Sequence, residues 1–343
     1  MIYKFKENRV HRAYYGGKRI DKFAGKTVCE DSRNPEEWLA STVEAFNPDR
    51  PIKGEGLSIC EDGKTFKDVL EADPAAILGQ TLANKHDNKM SILVKLLDSA
   101  ERLVIQCHPT IPFAKEHFHS DFGKTECWYF LDTEPGAGVY LGFKPGITKE
   151  KWVELFEKQD VDGMLDCLHR FEVKPGDLWF VNGGVPHAIG GGCFMIELQE
   201  PSDLMVIPER VTPSGVELAD IKLHGGIGFD KMFDCFVFEG KSAEETAALY
   251  KRTTKFVPNS LSPIVDKSLT DKFSMSALMV DGEFSFNMED KYCVAVVTEG
   301  EGSVLADSKE ISLKKSDCFF ISANSGNLNW KGNMKIILCV AEY

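Results

Sequence analysis

The chain reads as a mostly β protein: an antiparallel barrel or sandwich with helical insertions, followed by a second, similar β domain. Three observations lead there. Short apolar runs divided by Gly, Pro or Asp turns extend from Ile92 to Leu198, the pattern of antiparallel strands. A second strand-rich block from Phe273 to Tyr343 repeats the order of strand, Gly turn and Gly-Asp or Ser-Asp turn. The longest apolar stretches, such as Ser91 to Leu97, fall far short of a membrane span.

The elements follow in order. Tyr15-Gly-Gly-Lys18 carries turn chemistry, Asn34 to Leu39 reads as a short helix start or turn, and Ser41 to Phe46 reads as a strand. Thr65-Phe-Lys-Asp68 has the spacing of a capping box with Asp in the Glu position, followed by Phe66, Val69 and Leu70 at helical intervals. Asp73-Pro-Ala-Ala-Ile-Leu-Gly79 places proline early and glycine at the end of a helical turn. Strands are expected at 92–97, 103–108, 127–131, 138–143, 178–181 and 194–198. Trp152, Leu155, Phe156, Met164, Leu165 and Leu168 give a helical insertion over 148–168, ending at His169-Arg170, where a cation suits the helix dipole. The economical division is a first domain over 1–230, holding the chemistry, and a second over 231–343 that is structural, since no histidine follows His224.

Composition narrows the function. A formal charge of −13 over 343 residues argues against nucleic acid or an anionic membrane as partner. A local basic cluster would still serve an anionic small molecule, and Lys95, Arg102, Lys124 and Arg210 fall near the site described next. The N-terminus lacks a signal-peptide apolar core, so a cytoplasmic location, as a monomer or homodimer, is expected. Ten scattered cysteines without a C-x-x-C pair predict reduced core thiols rather than disulfides or a thiolate metal knuckle.

The chemistry gathers in three segments. In Val104-Ile-Gln-Cys-His-Pro109, strand alternation turns Gln106 and His108 to one face and Cys107 to the other. Glu126 follows in Gly123-Lys-Thr-Glu-Cys-Trp128, and His187 in Pro186-His-Ala-Ile-Gly190. Gln, His, Glu and His form a nitrogen and oxygen ligand set that suits zinc, and a catalytic zinc keeps a coordination position open. His117-Phe-His119 has metal-pair spacing but lies in a loop, where solvent-facing residues are the expectation. Gly176-Asp-Leu-Trp-Phe-Val-Asn-Gly-Gly-Val-Pro-His187 fits the second cupin motif, with Asn182 in its proline position.

Taken together, Glu37-Trp38, Asp73 to Gly79, Leu93 to Asp98, Gln106-Cys-His108, Gly123 to Tyr129, Pro186 to Gly190, Glu197-Leu-Gln199 and Ser202-Asp203 make the chain resemble the bacterial, type I mannose-6-phosphate isomerases over nearly its whole length. The resemblance implies a cupin barrel with a second cupin-like domain, and one zinc per chain held by Gln106, His108, Glu126 and His187. It implies interconversion of mannose 6-phosphate and fructose 6-phosphate, with Trp38, Lys124 and Asp203 binding substrate and Lys124 and Glu197 among the catalytic groups.

The chain departs from the family in one place. The family continues from Ser-Asp into a tyrosine-arginine segment whose arginine is treated as catalytic. Here the run is Ser202-Asp-Leu-Met-Val-Ile-Pro-Glu-Arg210, so Ile207 takes the arginine position. Isoleucine cannot stabilise an anion, which makes Arg210, three residues on, the expected substitute. The same departure leaves open an isomerase or epimerase of another sugar, phosphorylated or free, and a cupin that binds metal and sugar without turnover.

Overall fold

Three antiparallel sheets carry the chain in a computed structural model that describes residues 1–342. The first has seven strands in the order Lys251–Thr253, Asp177–Val181, Glu126–Thr133, Cys193–Gln199, Leu93–Ser99, Glu36–Leu39 and Arg9–Val10. A three-stranded sheet, Leu168–Glu172, Gly138–Phe143 and His187–Ile189, lies opposite it. Trp128, Phe130 and Met195 of the larger sheet meet Val139, Leu141 and Ile189 of the smaller in one buried cluster, which closes a barrel. Alternation along Glu126–Thr133 sends Glu126, Trp128 and Phe130 into that barrel and Cys127 and Tyr129 to the outer face.

The third sheet is the C-terminal domain, with strands Ser260–Val265, Phe273–Asn287, Asn327–Ala341, Cys293–Ala306 and Cys318–Ile321, and Lys309–Lys314 on a side branch. Its long strands bend where glycines face one another: Gly332 pairs with Gly282 on one side and Gly302 on the other. Gly332 has φ 120°, and a Cβ there would meet the Glu301 carbonyl at 2.5 Å, so no other residue fits the bend.

The two β domains exchange strands. Ile2–Lys4 pairs with Cys318–Ile321 in the C-terminal sheet, and Lys251–Thr253 pairs with Asp177–Val181 in the first. A division at 230 would fall inside the helix Phe229–Met232, and Met232, Phe233, Cys235 and Phe236 pack with Trp152 and Phe156 of the first domain. The strands that belong wholly to the second domain start at Ser260.

Most expected elements form, with local exceptions. Thr65 caps Phe66–Ala72 by accepting from Asp68 N at 3.0 Å, and Asp73 caps Pro74–Leu78. The helical insertion is two helices, Lys149–Lys158 and Val161–Asp166, broken where Gln159 turns left-handed. His169 and Arg170 lie in the strand Leu168–Glu172 rather than at a helix end, because Gly138–Phe143 offers that segment a full ladder. The early strand is Glu36–Leu39, not 41–46: Ala40 turns at φ 49° and leaves the sheet. The segment 103–108 is extended but forms only isolated bridges, since Gln106 pairs with His187 on one side while Cys107 pairs with Val206 on the other. Among the described residues no helix is long and apolar enough to cross a membrane.

Phe66 ties the helical lead-in to the C-terminal sheet: it is fully buried and meets Phe320 edge-on at 4.8 Å, inside a cluster that also holds Ile196 and Ile337. Phe66→Ala should cost about 3–5 kcal/mol. Urea unfolding should show one transition at a lower midpoint; two transitions, with the later unmoved, would contradict a shared core.

Candidate metal centre

The site is assembled by backbone pairing before any side chain acts. Gln106 and His187 exchange two hydrogen bonds of 2.9 Å, which brings their segments together at the barrel mouth. Gly184 N donates to the His108 carbonyl at 2.7 Å, and a Cβ on Gly183 would meet the Pro109 carbonyl at 2.7 Å. The glycine turn of the motif is therefore pressed against the His108 segment. Glu126 opens its strand between Gln199 and Val181, with its carboxylate directed at the same point.

His108, Glu126 and His187 are each fully buried, and their donor atoms all lie within 4.8 Å of one another. His108 Nε2 is 3.2 Å from Glu126 Oε2, and His187 Nε2 is 3.3 Å from Glu126 Oε1. The tautomers follow from the surroundings. His108 Nδ1 donates to the Leu204 carbonyl at 2.9 Å and His187 Nδ1 to the Val185 carbonyl at 2.9 Å, since a carbonyl can only accept. Both Nε2 atoms thus present lone pairs inward, the orientation a metal requires of histidine.

His187 Nε2 is buried with no hydrogen-bond partner among the described residues, and Glu126 Oε2 has only the Lys124 ammonium and His108 Nε2 beside it. Lys124 Nζ lies 2.7 Å from His108 Nε2 and 3.0 Å from Glu126 Oε2, so a cation already faces the donor set. Burial, with the charge of Lys124, pushes His108 down to about 3, which keeps it neutral and able to ligate. Burial alone would raise Glu126, but the charge of Lys124 outweighs it and holds the carboxyl well below its usual range. Two neutral imidazoles and one carboxylate, with their donor atoms turned inward and His187 Nε2 unpartnered, fit a divalent metal of the zinc type. Gln106, the expected fourth ligand, is 8% exposed, lines the adjoining cleft and pairs by its backbone with His187.

From this centre a row of buried charges runs along the cleft. Glu197 meets Lys95 at 3.0 Å across the Cys193–Gln199 and Leu93–Ser99 pair; Lys95 stands 3.7 Å from Glu36. Glu36 accepts from Arg12 Nε at 3.0 Å and from Tyr14 at 2.8 Å, and Arg12 grips both oxygens of Asp203 at 3.0 and 3.1 Å. Glu197 Oε2 is the oxygen that faces Lys95, and burial raises the pKa of its carboxyl.

The sequence-predicted residues divide. Lys124, Glu197 and Asp203 line the cleft with Gln106. Trp38 stands behind it: its indole donates to Glu36 Oε2 at 2.7 Å and carries Arg12 and Lys95 over its ring, each at 5.1 Å. Arg210 does not return to the place Ile207 vacates. Its backbone is held by Gln159 Oε1, its guanidinium pairs with Asp220 at 2.7 Å, and it lies over the rings of Phe156 and Phe229. Ile207 itself lines the cleft, 2% exposed, against Leu218. His117 is in a π-helical turn, Ala114–Phe118, against Phe113, and His119 is exposed. Arg12, Glu36 and Lys222 were missed, because nothing local in the sequence marks three residues drawn from distant segments.

The class is a cupin barrel whose buried His108, Glu126 and His187 present the donor set of a metal site beside a charged cleft. Comparison with known proteins then gives the particular kinship. Residues 52–129 match the family model "Phosphomannose isomerase type I, catalytic domain", and residues 267–341 match "Mannose-6-phosphate isomerase, cupin domain". The chain is 26% identical over 340 residues to the mannose-6-phosphate isomerase of Streptococcus mutans, covering 97% of this chain and 96% of that protein. It is 27% identical to the mannose-6-phosphate isomerase ManA of Bacillus subtilis, over 73% of this chain and 75% of that one. Among solved structures, the mannose 6-phosphate isomerase from Bacillus subtilis superposes with a TM-score of 0.75 at 22% identity, covering 98% and 99% of the two chains. A putative mannosephosphate isomerase from Archaeoglobus fulgidus gives 0.74 at 19%, covering 99% and 97%. These matches bear out the resemblance to the type I mannose-6-phosphate isomerases.

Two outcomes are expected. Elemental analysis of the purified protein should find one divalent metal per chain, and His187→Ala should lose most of it while keeping a native circular-dichroism spectrum. In the metal-free protein, the lowered pKa of His108 makes the unfolded chain bind more protons between about 3 and 6.5. The stability this represents is present above 6.5 and lost as pH falls. The drop in melting temperature between about pH 7.5 and pH 5 should therefore be smaller in His108→Gln than in the parent.

Proposed function

We propose that the chain is a zinc-dependent aldose–ketose isomerase that interconverts mannose 6-phosphate and fructose 6-phosphate. The observation that carries this reading is the pair of inward Nε2 lone pairs and the Glu126 carboxylate at the mouth of a cleft that also holds Lys124 and Glu197. The names and family models of the matched proteins support the same reaction.

Isomerisation removes a proton from C2 of the open-chain aldose and returns one to C1, while a proton leaves the C2 hydroxyl and one arrives on the C1 oxygen. A bound zinc would supply Lewis acidity at the sugar oxygens, where negative charge builds. Glu197 is the group for the carbon-bound proton: it lines the cleft beside Lys124, and burial raises its pKa, which makes it a better base at neutral pH than a solvated carboxylate. Lys95, 3.0 Å away, steadies the ionised form. Lys124 has three ammonium donors, and one turned to a sugar oxygen would offset developing charge. Asp203, fixed by Arg12 and by Phe46 N at 2.8 Å, would orient the hydroxyls.

Charge balance points to an anion. With every group ionised, the five cations Arg12, Lys95, Arg102, Lys124 and Lys222 are matched by the five carboxylates Glu36, Glu126, Glu197, Asp203 and Glu209. A divalent metal then leaves two positive charges, as a phosphomonoester dianion needs. A second reading, isomerisation of another sugar, rests on Ile207 in the cleft.

In a coupled assay the zinc-loaded protein should convert mannose 6-phosphate to fructose 6-phosphate. Turnover of a different sugar alone would favour the second reading, and no turnover of any sugar by metal-loaded protein would exclude both. Glu197→Gln should reduce kcat by about 10²–10⁴ with a small change in KM. Arg210→Ala should keep kcat/KM within about twofold, as expected of a surface change outside the cleft.

A further inference from the structure

We propose that Lys222 is the anchor for the phosphate of the substrate, supplying in this chain the positive charge that Ile207 cannot; the inference rests on the sugar-phosphate reading above. Lys222 lies on the short helix Asp220–His224, is 8% exposed, and lines the same cleft as Ile207, Arg12 and Asp203. Its ammonium donates to the Phe46 carbonyl and stands 5.3 Å from the Phe46 ring. Among the described residues it makes no ion pair and no other hydrogen bond.

That isolation separates it from the other cations of the cleft. Arg12 is held by Asp203 and Glu36, Lys95 by Glu197, Lys124 by Glu126, and Arg102 by both oxygens of Glu209. Drawing any of these onto a ligand would leave a buried carboxylate unpaired, which is costly. Lys222 can be drawn without such a loss. The carboxylate nearest in this chain of contacts, Asp203, already gives its oxygens to Arg12 and Phe46 N. An ammonium has three donors, and two here are unused.

Position agrees with the role. Lys124 stands against the metal ligands, while Lys222 is at the far end of the sequence of contacts running Glu197, Lys95, Glu36, Arg12, Asp203, Phe46. Lys222 touches none of the metal donors, so a substrate with its reacting oxygens at the metal would meet this lysine with another part of the molecule. Ile207 and Leu218 make this end of the cleft apolar, which strengthens an ion pair formed there. Burial, with Asp203 opposing and Arg12 adding to the effect, brings the lysine to about 8, so it remains largely charged at neutral pH.

The test compares parent, Lys222→Met and Lys222→Arg, all zinc-loaded and shown to melt as folded proteins. Lys222→Met should raise KM for mannose 6-phosphate and the inhibition constant of inorganic phosphate by about tenfold to a hundredfold, the range for a hydrogen bond to a charged group. Its kcat should stay within about threefold of the parent, and Lys222→Arg should recover most of the loss. Unchanged KM and phosphate inhibition in Lys222→Met, with an active parent, would overturn the role of Lys222 alone. A parent that turns over no mannose 6-phosphate would overturn the reading on which the role rests.

Discussion

The Glu126 carboxylate is the constraint on which the rest of the centre depends. It is fully buried, and a buried carboxylate without compensation costs several kcal/mol. Trp128 Nε1 meets one oxygen at 3.1 Å, and Lys124 Nζ stands 3.0 Å from the other. The two imidazoles, fixed by backbone carbonyls with their lone pairs inward, cannot donate to it while neutral. A divalent cation would answer all three groups at once. The fold holds the imidazoles in position with backbone hydrogen bonds and leaves His187 Nε2 without a partner.

That arrangement extends outward by alternation of sign. Glu197 faces Lys95, Lys95 approaches Glu36, and Glu36 and Asp203 share Arg12. Each charge is buried, and the ion pairs join segments from residue 12 to residue 203, so the electrostatics of the cleft span the domain. Trp38 contributes from behind, as the surface on which Arg12 and Lys95 rest. Side chains held this way need little reorganisation when charge develops on a substrate, the property that makes such sites effective.

Much of this was legible in the sequence. Period-two runs located the strands around Glu126, Gly138 and Cys193 because those strands bury one or both faces and are long enough to show the pattern. The metal ligands stood out because histidine, glutamate and the glycine turn recur in a fixed order. Capping logic found Thr65 and Asp73, and would have found the Ser242 and Glu245 box that starts the helix Ala243–Tyr250. What escaped is non-local. The 103–108 segment looks like a strand but takes its partners from two different places, and the strand swap between domains leaves no mark in composition. Arg12 and Lys222 enter the cleft through tertiary contacts alone, and the path of the loop after Pro208, which carries Arg210 away from the cleft, is decided by Gln159, Asp220 and two phenylalanines.

A metal among these donors would need the His108 Nε2 lone pair that now faces Lys124 Nζ at 2.7 Å, so its binding would move the lysine away. Anomalous diffraction at the absorption edge of the bound metal, on crystals of the metal-loaded protein, tests it most directly. The account predicts a single strong peak bounded by His108 Nε2, Glu126, His187 Nε2 and the Gln106 side chain, with Lys124 Nζ moved off His108. A peak elsewhere in the molecule, or Lys124 still bonded to His108 Nε2 in protein that contains stoichiometric metal, would contradict it.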